Sequence, residues 1–192
     1  NDGCVVARAE EVKRLGGKMA APYFKVRDRL AKADTAVFSS NYALYADLSR
    51  RITAILEGFS PEVERYSIDE AFLHLWADSQ AEAEAQGRAI EARVRAWTGI
   101  PMRVGLGPTK TLAKMASEVA KQRMREGQPP VVCLWGASQR AASLRTFPVG
   151  EVWGIGPRWA KRLRARGVRT AADFAALPDV WVQRNLNVVA LR

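Results

Sequence analysis

The chain is poor in the residues that most metal and nucleophile chemistry requires. It has one histidine, His74, and two cysteines, Cys4 and Cys133. A single histidine in a strand-like run excludes a His-rich zinc site and leaves nucleophilic triads without support. It reads as structural. The two cysteines lie far apart in apolar surroundings, without zinc spacing, and read as reduced, buried thiols of a cytoplasmic protein. No apolar run approaches the ~20 residues that span a bilayer, and no signal-peptide pattern opens the chain. L-G-P-T-K-T (106–111) lacks the G-x-x-x-x-G-K-[ST] spacing of a phosphate-binding P-loop. Internal repeats and low-complexity segments are absent as well.

Acidic residues are scarce in one part only. Residues 1–109 hold 15 Lys/Arg and 15 Asp/Glu, whereas residues 110–192 hold 15 basic and 5 acidic residues. The net charge of +10 therefore lies entirely in the C-terminal part. Such asymmetry points to a polyanion partner, nucleic acid being the commonest. An anionic membrane surface is the rival, but no basic amphipathic helix with Trp and Leu on one side stands alone.

What is present orders into alternating patterns. A-E-E-V-K-R-L-G (9–16) predicts a short helix stopped by Gly16 and Gly17, followed by a polar, basic stretch to about residue 34. V-F-S-S (37–40) predicts a short strand. Ser40 or Asn41 can then cap a helix with Leu44, Leu48, Ile52, Ile55, Leu56 and Phe59 on one face. Residues 62–68 and 71–76 read as a hairpin. A helix over 80–97 turns Ile90, Val94 and Trp97 to one side. A buried strand (102–107), a helix (109–121, Leu112, Met115, Ala116 and Val119 inward) and another strand (131–135) follow. This order predicts an α+β fold in which helices cover a mostly antiparallel sheet. From residue 136 strands disappear in favour of short helices with Gly-rich joints, a second module. The opening N-D-G reads as a turn after a strand, and the closing N-V-V-A-L-R as a helix cut in the middle, so the chain reads as a piece of a longer one.

Two stretches carry chemistry. In Y-S-I-D-E-A-F (66–72), Asp69 and Glu70 stand side by side in an apolar run. On a regular strand neighbours face opposite ways, but at a hairpin tip both carboxylates can reach one side and suit Mg²⁺. For an isolated Asp-Glu pair, an exposed polar turn is the commoner explanation. In V-W-G-I-G-P-R-W-A-K-R-L-R-A-R-G-V (152–168), Gly154 and Gly156 flank Ile155 in a tight turn, ahead of a helix bearing Arg158, Lys161, Arg162, Arg164 and Arg166 without an acid. This is the helix-hairpin-helix pattern, whose exposed N–H groups and cations grip a DNA backbone without reading sequence. A solvated basic helix is the bland alternative; the G-I-G spacing with Leu163 and Gly167–Val168 favours the first reading. Lys110 and Lys114 read as solvated helix lysines.

Taken in order, N-D-G-C-V-V-A-R, F-S-S-N-Y-A-L-Y-A-D (38–47), Y-S-I-D-E-A-F, G-P-T-K-T-L-A-K (107–114) and V-W-G-I-G resemble the Y-family translesion DNA polymerases, above all their UmuC branch, across essentially the whole chain. The resemblance implies a ferredoxin-like palm (41–135), a partial fingers segment (1–40) and a thumb with helix-hairpin-helix (136–192). It implies that Asp69 and Glu70 are catalytic and hold two Mg²⁺ ions, and that Lys121 and Lys13 meet the phosphates of the incoming dNTP. It also implies that Gly154, Gly156, Arg158, Lys161 and Arg162 contact primer-template DNA. Glu10 stands where many relatives carry a fingers Tyr. The family's third metal-binding Asp and its steric gate belong to a strand upstream of N-D-G, where Asp2 is no substitute, and its little finger to a segment beyond Arg192. The expectation is therefore that the intact protein performs error-prone synthesis past lesions in the SOS response, with a UmuD-like dimer and RecA as partners, and that this piece alone does not. The competing class is a non-catalytic helix-hairpin-helix DNA-binding protein.

Overall fold

Acidic residues at a helix start and basic ones at its end favour even a very short helix, and α1 (Glu10–Arg14) has both, with Gly16 at φ +75° turning the chain after it. The computed structural model describes residues 3–186, so Asp2 and the predicted terminal helix at 187–192 lie outside the described residues. Two compact units are present, Asn1–Ser49 and Arg50–Arg192.

In the first unit, Cys4 forms an isolated antiparallel bridge with Pro22 and is exposed rather than buried, because a single bridge supplies no second layer to cover it. The stretch read as merely polar and basic contains α2 (Tyr23–Lys32), which buries only Val26 and Leu30. Two inward residues at i and i+4 are too few to stand out among its charges. The strand expected at 37–40 does not form: these residues join no ladder, and Phe38 is exposed. An apolar pair without a partner strand cannot become one. The cap of α3 (Tyr42–Glu57) is Asn41, whose Oδ1 accepts the Leu44 N–H at 3.0 Å. Leu44, expected on the inner face, stays exposed.

In the second unit, Ile55 and Leu56 of α3 pack against Ile90 and Val94 of α4 (Gln80–Thr98). Ser79 caps α4 by accepting the Glu82 N–H at 3.2 Å, and Gly99 at φ +71° ends it. Trp97, expected inward, is 71% exposed, because the last turn of α4 outruns the core. The predicted hairpin is present: β1 (Val63–Arg65) pairs antiparallel with β2 (Ala71–Leu73), Val63 opposite Leu73 and Arg65 opposite Ala71. Buried Ser60 closes its base, donating to the His74 carbonyl at 2.7 Å and accepting the Glu62 N–H at 3.1 Å.

The α+β expectation stands, but the mostly antiparallel sheet does not. Among the described residues the strands form two two-stranded ladders, and β3 (Val104–Leu106) pairs parallel with β4 (Val131–Cys133). The cause is α5 (Lys110–Arg125), a helical crossover that returns the chain in its original direction. Thr109 caps α5, accepting the Leu112 N–H at 3.2 Å. Met115, Ala116 and Ala120 of α5 are buried with Val132 and Leu134.

After residue 136 the described chain is helical, as expected: α6 (Ala137–Thr146), a 3₁₀ turn (Val149–Glu151), α7 (Pro157–Arg164), α8 (Ala171–Ala175) and α9 (Asp179–Asn185). Val149, Ile155, Ala160, Leu163, Val168 and Val182 form the core shared by the 3₁₀ turn, α7 and α9, while Phe147 after α6 and Ala171 of α8 are buried against α5. Thr170 and Asp173 make a reciprocal capping box at α8. Among the described residues no helix is long and apolar enough to cross a membrane.

Candidate active site

The five residues between β1 and β2 form a tight tip, in which the Tyr66 and Ser67 N–H groups both donate to the Glu70 carbonyl at 3.0 Å. Ser67 Oγ also donates to Asp69 Oδ1 at 2.7 Å, which fixes that carboxylate. Strand alternation is interrupted here, so the two acids are released from opposite faces. The hairpin lies against α5, and the contact is made by charge. Lys114 Nζ donates to Glu70 Oε1, and Lys110 Nζ donates to Glu64 Oε2.

Lys114 is thus not the solvated lysine that the sequence suggested, whereas Lys110 is paired but still half exposed. The Lys114–Glu70 pair is the more enclosed, at 23% and 35% side-chain exposure against 50% and 54% for Lys110–Glu64. The Lys114 ammonium lies 5.4 Å from the centre of the Tyr66 ring and 5.9 Å from that of Trp153. Each such contact contributes about 0.5–1 kcal/mol at an exposed site. The rings hold one another: Tyr66 meets Phe72 at 5.7 Å and Trp153 at 5.4 Å, and the Trp153 indole N–H donates to the Tyr66 hydroxyl at 3.3 Å. Trp153, from the residues just ahead of G-I-G, therefore packs on the acid-bearing hairpin.

Beside this cluster runs an open groove of about 260 Å³, lined by Lys114, Glu118, Lys121, Gly150, Glu151 and Trp153. Lys121 stands seven residues after Lys114, about 10 Å along the helix, and pairs with Glu118 at 2.9 Å. Arg103 of the segment entering β3 reaches the same Glu118 at 3.3 Å and Ser117 Oγ at 3.1 Å. Lys13 lies in the first unit on α1, where its ammonium pairs with Glu10. Lys110, Lys114 and Lys121 fall on one stripe of α5 at 100° per residue, and this periodicity is the signal that was open to reading. No sequence pattern announced the partnership of Tyr66 with Trp153.

Two adjacent carboxylates are the hard oxygen donors that Mg²⁺ prefers, and with phosphate oxygens and water they suffice for such an ion. The donor chemistry fits on those terms only, since among the described residues no three His, Cys, Asp or Glu side chains gather into a metal site. His74, exposed on the hairpin, stacks on Trp76 at 4.2 Å and lies 3.4 Å from Glu62.

In the C-terminal module, Gly154 takes φ +90°, a left-handed backbone that favours glycine. Ile155 between the glycines is buried, and a side chain at Gly156 would meet only open space. The N-terminal N–H groups of α7 follow directly, with Pro157 in the first turn. Arg158, Lys161 and Arg162 are exposed. Arg162 is already engaged, its guanidinium bonding the Asn185 carbonyl at 2.8 Å and Asn185 Oδ1 at 3.0 Å, which ties α7 to α9. Among the described residues, two groups titrate away from their ordinary values. Burial pushes the Cys133 thiol up, and the backbone N–H of Arg169, then that of Thr170, hold the Asp173 carboxyl down.

A family model described as impB/mucB/samB family matches residues 1–118. Among curated proteins, the chain is 42% identical to Protein SamB of Salmonella typhimurium over 193 residues, covering all of this chain and 46% of that protein. It is 42% identical to Protein UmuC of Salmonella typhimurium over 195 residues, with the same coverage. It is 31% identical to DNA polymerase IV of Corynebacterium diphtheriae, covering 99% of this chain and 41% of that one. The chain thus spans about half the length of the curated relatives it matches. Among solved structures, a ternary complex of Dbh superposes with a TM-score of 0.79 at 23% identity, over 98% of this chain and 55% of that one. A DinB family error-prone DNA polymerase from Sulfolobus solfataricus superposes at 0.74 and 23%, over 94% and 53%. At that identity the superpositions establish the fold.

Proposed function

The chain belongs to the impB/mucB/samB family, and from that membership we propose that it is the nucleotidyl-transfer half of a translesion DNA polymerase. Residues 41–135 act as palm, 1–40 as part of the fingers and 136–192 as thumb. The reaction is template-directed, error-prone DNA synthesis past lesions, on primer-template DNA with dNTPs, in the cytoplasm. The SOS response, a UmuD-like dimer and RecA belong to the same reading. The observation that carries it is the placement of Asp69 and Glu70 at a hairpin tip docked on the lysine stripe of α5, where carboxylates and ammonium groups meet.

Each residue has a derivable task. Asp69 and Glu70 would hold Mg²⁺, which supplies charge neutralisation on the phosphates and a more acidic primer hydroxyl. Lys121 faces the groove beside them and attracts the triphosphate as a point charge. Lys13 serves the same phosphates from the fingers. The helix-hairpin-helix supplies Gly154 and Gly156, whose uncovered backbone N–H groups suit a phosphate oxygen, with Arg158 and Lys161 as flanking cations. Arg162 contributes positive charge while braced by Asn185.

The test is primer extension opposite an abasic site by a chain carried to the full length of its relatives, with and without Asp69→Ala. Loss of a metal-holding carboxylate lowers the rate by roughly 10²–10³-fold, on the scale of removing one essential electrostatic group. Absence of extension by the unsubstituted full-length chain overturns the polymerase reading and leaves a DNA-binding protein; extension that survives Asp69→Ala removes Asp69 from the catalytic site.

A further inference from the structure

We propose that Lys114 is a built-in counter-cation of Glu70, an ammonium that occupies the carboxylate when no metal is bound and must yield it when one arrives. The proposal rests on the reading of Asp69 and Glu70 as metal-binding acids.

Three observations separate this pair from an incidental surface contact. First, Lys114 Nζ bonds Glu70 Oε1 across 44 residues of sequence, with both side chains largely enclosed. Second, the ammonium is confined by the Tyr66 and Trp153 rings, which an indole-to-hydroxyl hydrogen bond fixes relative to each other. A flexible lysine stem is thereby held at one position. Third, Glu118, the acid one turn further along α5, is already bonded by Arg103 and by Lys121. Lys110, one turn back, has its own acid in Glu64. Lys114 is matched to Glu70.

The consequence concerns metal affinity. A carboxylate with an ammonium on one oxygen offers a divalent ion only its other oxygen, against the repulsion of a neighbouring positive charge. Neutralising Lys114 therefore strengthens metal binding at the hairpin tip. Once displaced, the ammonium remains on the rim of the groove that Lys121 also lines, where an anion brought with the metal gives it a new partner. A metal arriving with phosphates is favoured over a metal alone.

The experiment titrates the 192-residue chain with Mn²⁺ alone, reading free Mn²⁺ by electron paramagnetic resonance. Lys114→Met is expected to bind Mn²⁺ roughly fivefold more tightly than wild type, the factor for a unit and a divalent charge about 8 Å apart in water. Lys114→Gln should show the same gain and guards against misfolding of the first variant, while Lys114→Arg, which keeps the charge, should show none. The gain should vanish in Lys114→Met combined with Glu70→Gln. Lys110→Met should change affinity by less than half as much. Equal tightening by Lys110→Met, no tightening by both neutral Lys114 variants, or no Mn²⁺ binding in either of them, overturns the proposal. Failure here leaves primer extension and its dependence on Asp69 untouched. Conversely, absence of extension by the full-length wild type removes the polymerase reading without altering the Mn²⁺ result.

Discussion

Replacing Gly105 by alanine tests how α5, the helix carrying Lys114 and Lys121, is held at its height above β3. A Cβ on Gly105 would lie 2.2 Å from the Ala113 carbonyl oxygen, 2.2 Å from the Ser117 nitrogen and 2.8 Å from its Cα. Real Cβ atoms essentially never come closer than 3.0 Å, so the α5 backbone must retreat by at least 0.8 Å, the difference between 3.0 and 2.2 Å. No rotamer relieves this, because the obstructing atoms are main chain. The retreat would also open the contacts of Ala116 and Ala120, both fully buried. Overpacking costs typically 1–3 kcal/mol and occasionally more, so a clash with two turns of backbone should cost about 3 kcal/mol. With a urea slope near 2 kcal/mol/M, the midpoint of unfolding falls by about 1.5 M. Far-UV circular dichroism against urea measures it. Gly99→Ala serves as the comparison: φ is +71° but nothing lies within 4 Å, so only the left-handed penalty of about 1–2 kcal/mol applies. A Gly105→Ala midpoint within about 0.3 M of wild type would refute the close approach of β3 and α5.

Two further outcomes are expected. Asp173 accepts the Arg169 and Thr170 N–H groups at 2.9 Å, and its folded pKa lies below the ordinary 3.8. A depressed carboxylate stabilises the fold above its unfolded pKa and loses that contribution as pH falls through the folded value. Asp173→Asn should therefore differ from wild type at neutral pH, and the difference should close below about pH 4; a pH-independent gap in thermal midpoint contradicts the capping role. DNA binding by the chain should weaken steeply with salt and be indifferent to sequence, and Arg158→Gln should lower the slope of log K against log salt by about 1. A salt-independent affinity would remove the thumb assignment.

The hairpin at the acids was legible because turn chemistry and β-runs are local properties of the chain. The cap at Asn41 and the inward residues of α5 follow local rules as well. Errors arose where the outcome depended on a distant neighbour. The V-F-S-S run had strand chemistry but no partner, and Trp97 had the right phase but lay beyond the core it was to cover. The sheet direction was not legible because pairing depends on the route of the connecting helix, which a local pattern does not specify.

The candidate site divides the same way. Residue order by itself determined that two adjacent acids sit in a turn, that lysines recur on one face of a following helix, and that G-I-G precedes a cationic helix. Covalent neighbours impose these through backbone geometry and periodicity. Only the tertiary structure decided that Glu70 meets Lys114, that Glu64 meets Lys110, and that Trp153 closes over Tyr66. Those contacts join residues 44, 46 and 87 positions apart. No local rule reaches that far: such pairs form only when hydrophobic packing of β3, β4 and α5 brings the hairpin and the G-I-G segment to the same surface.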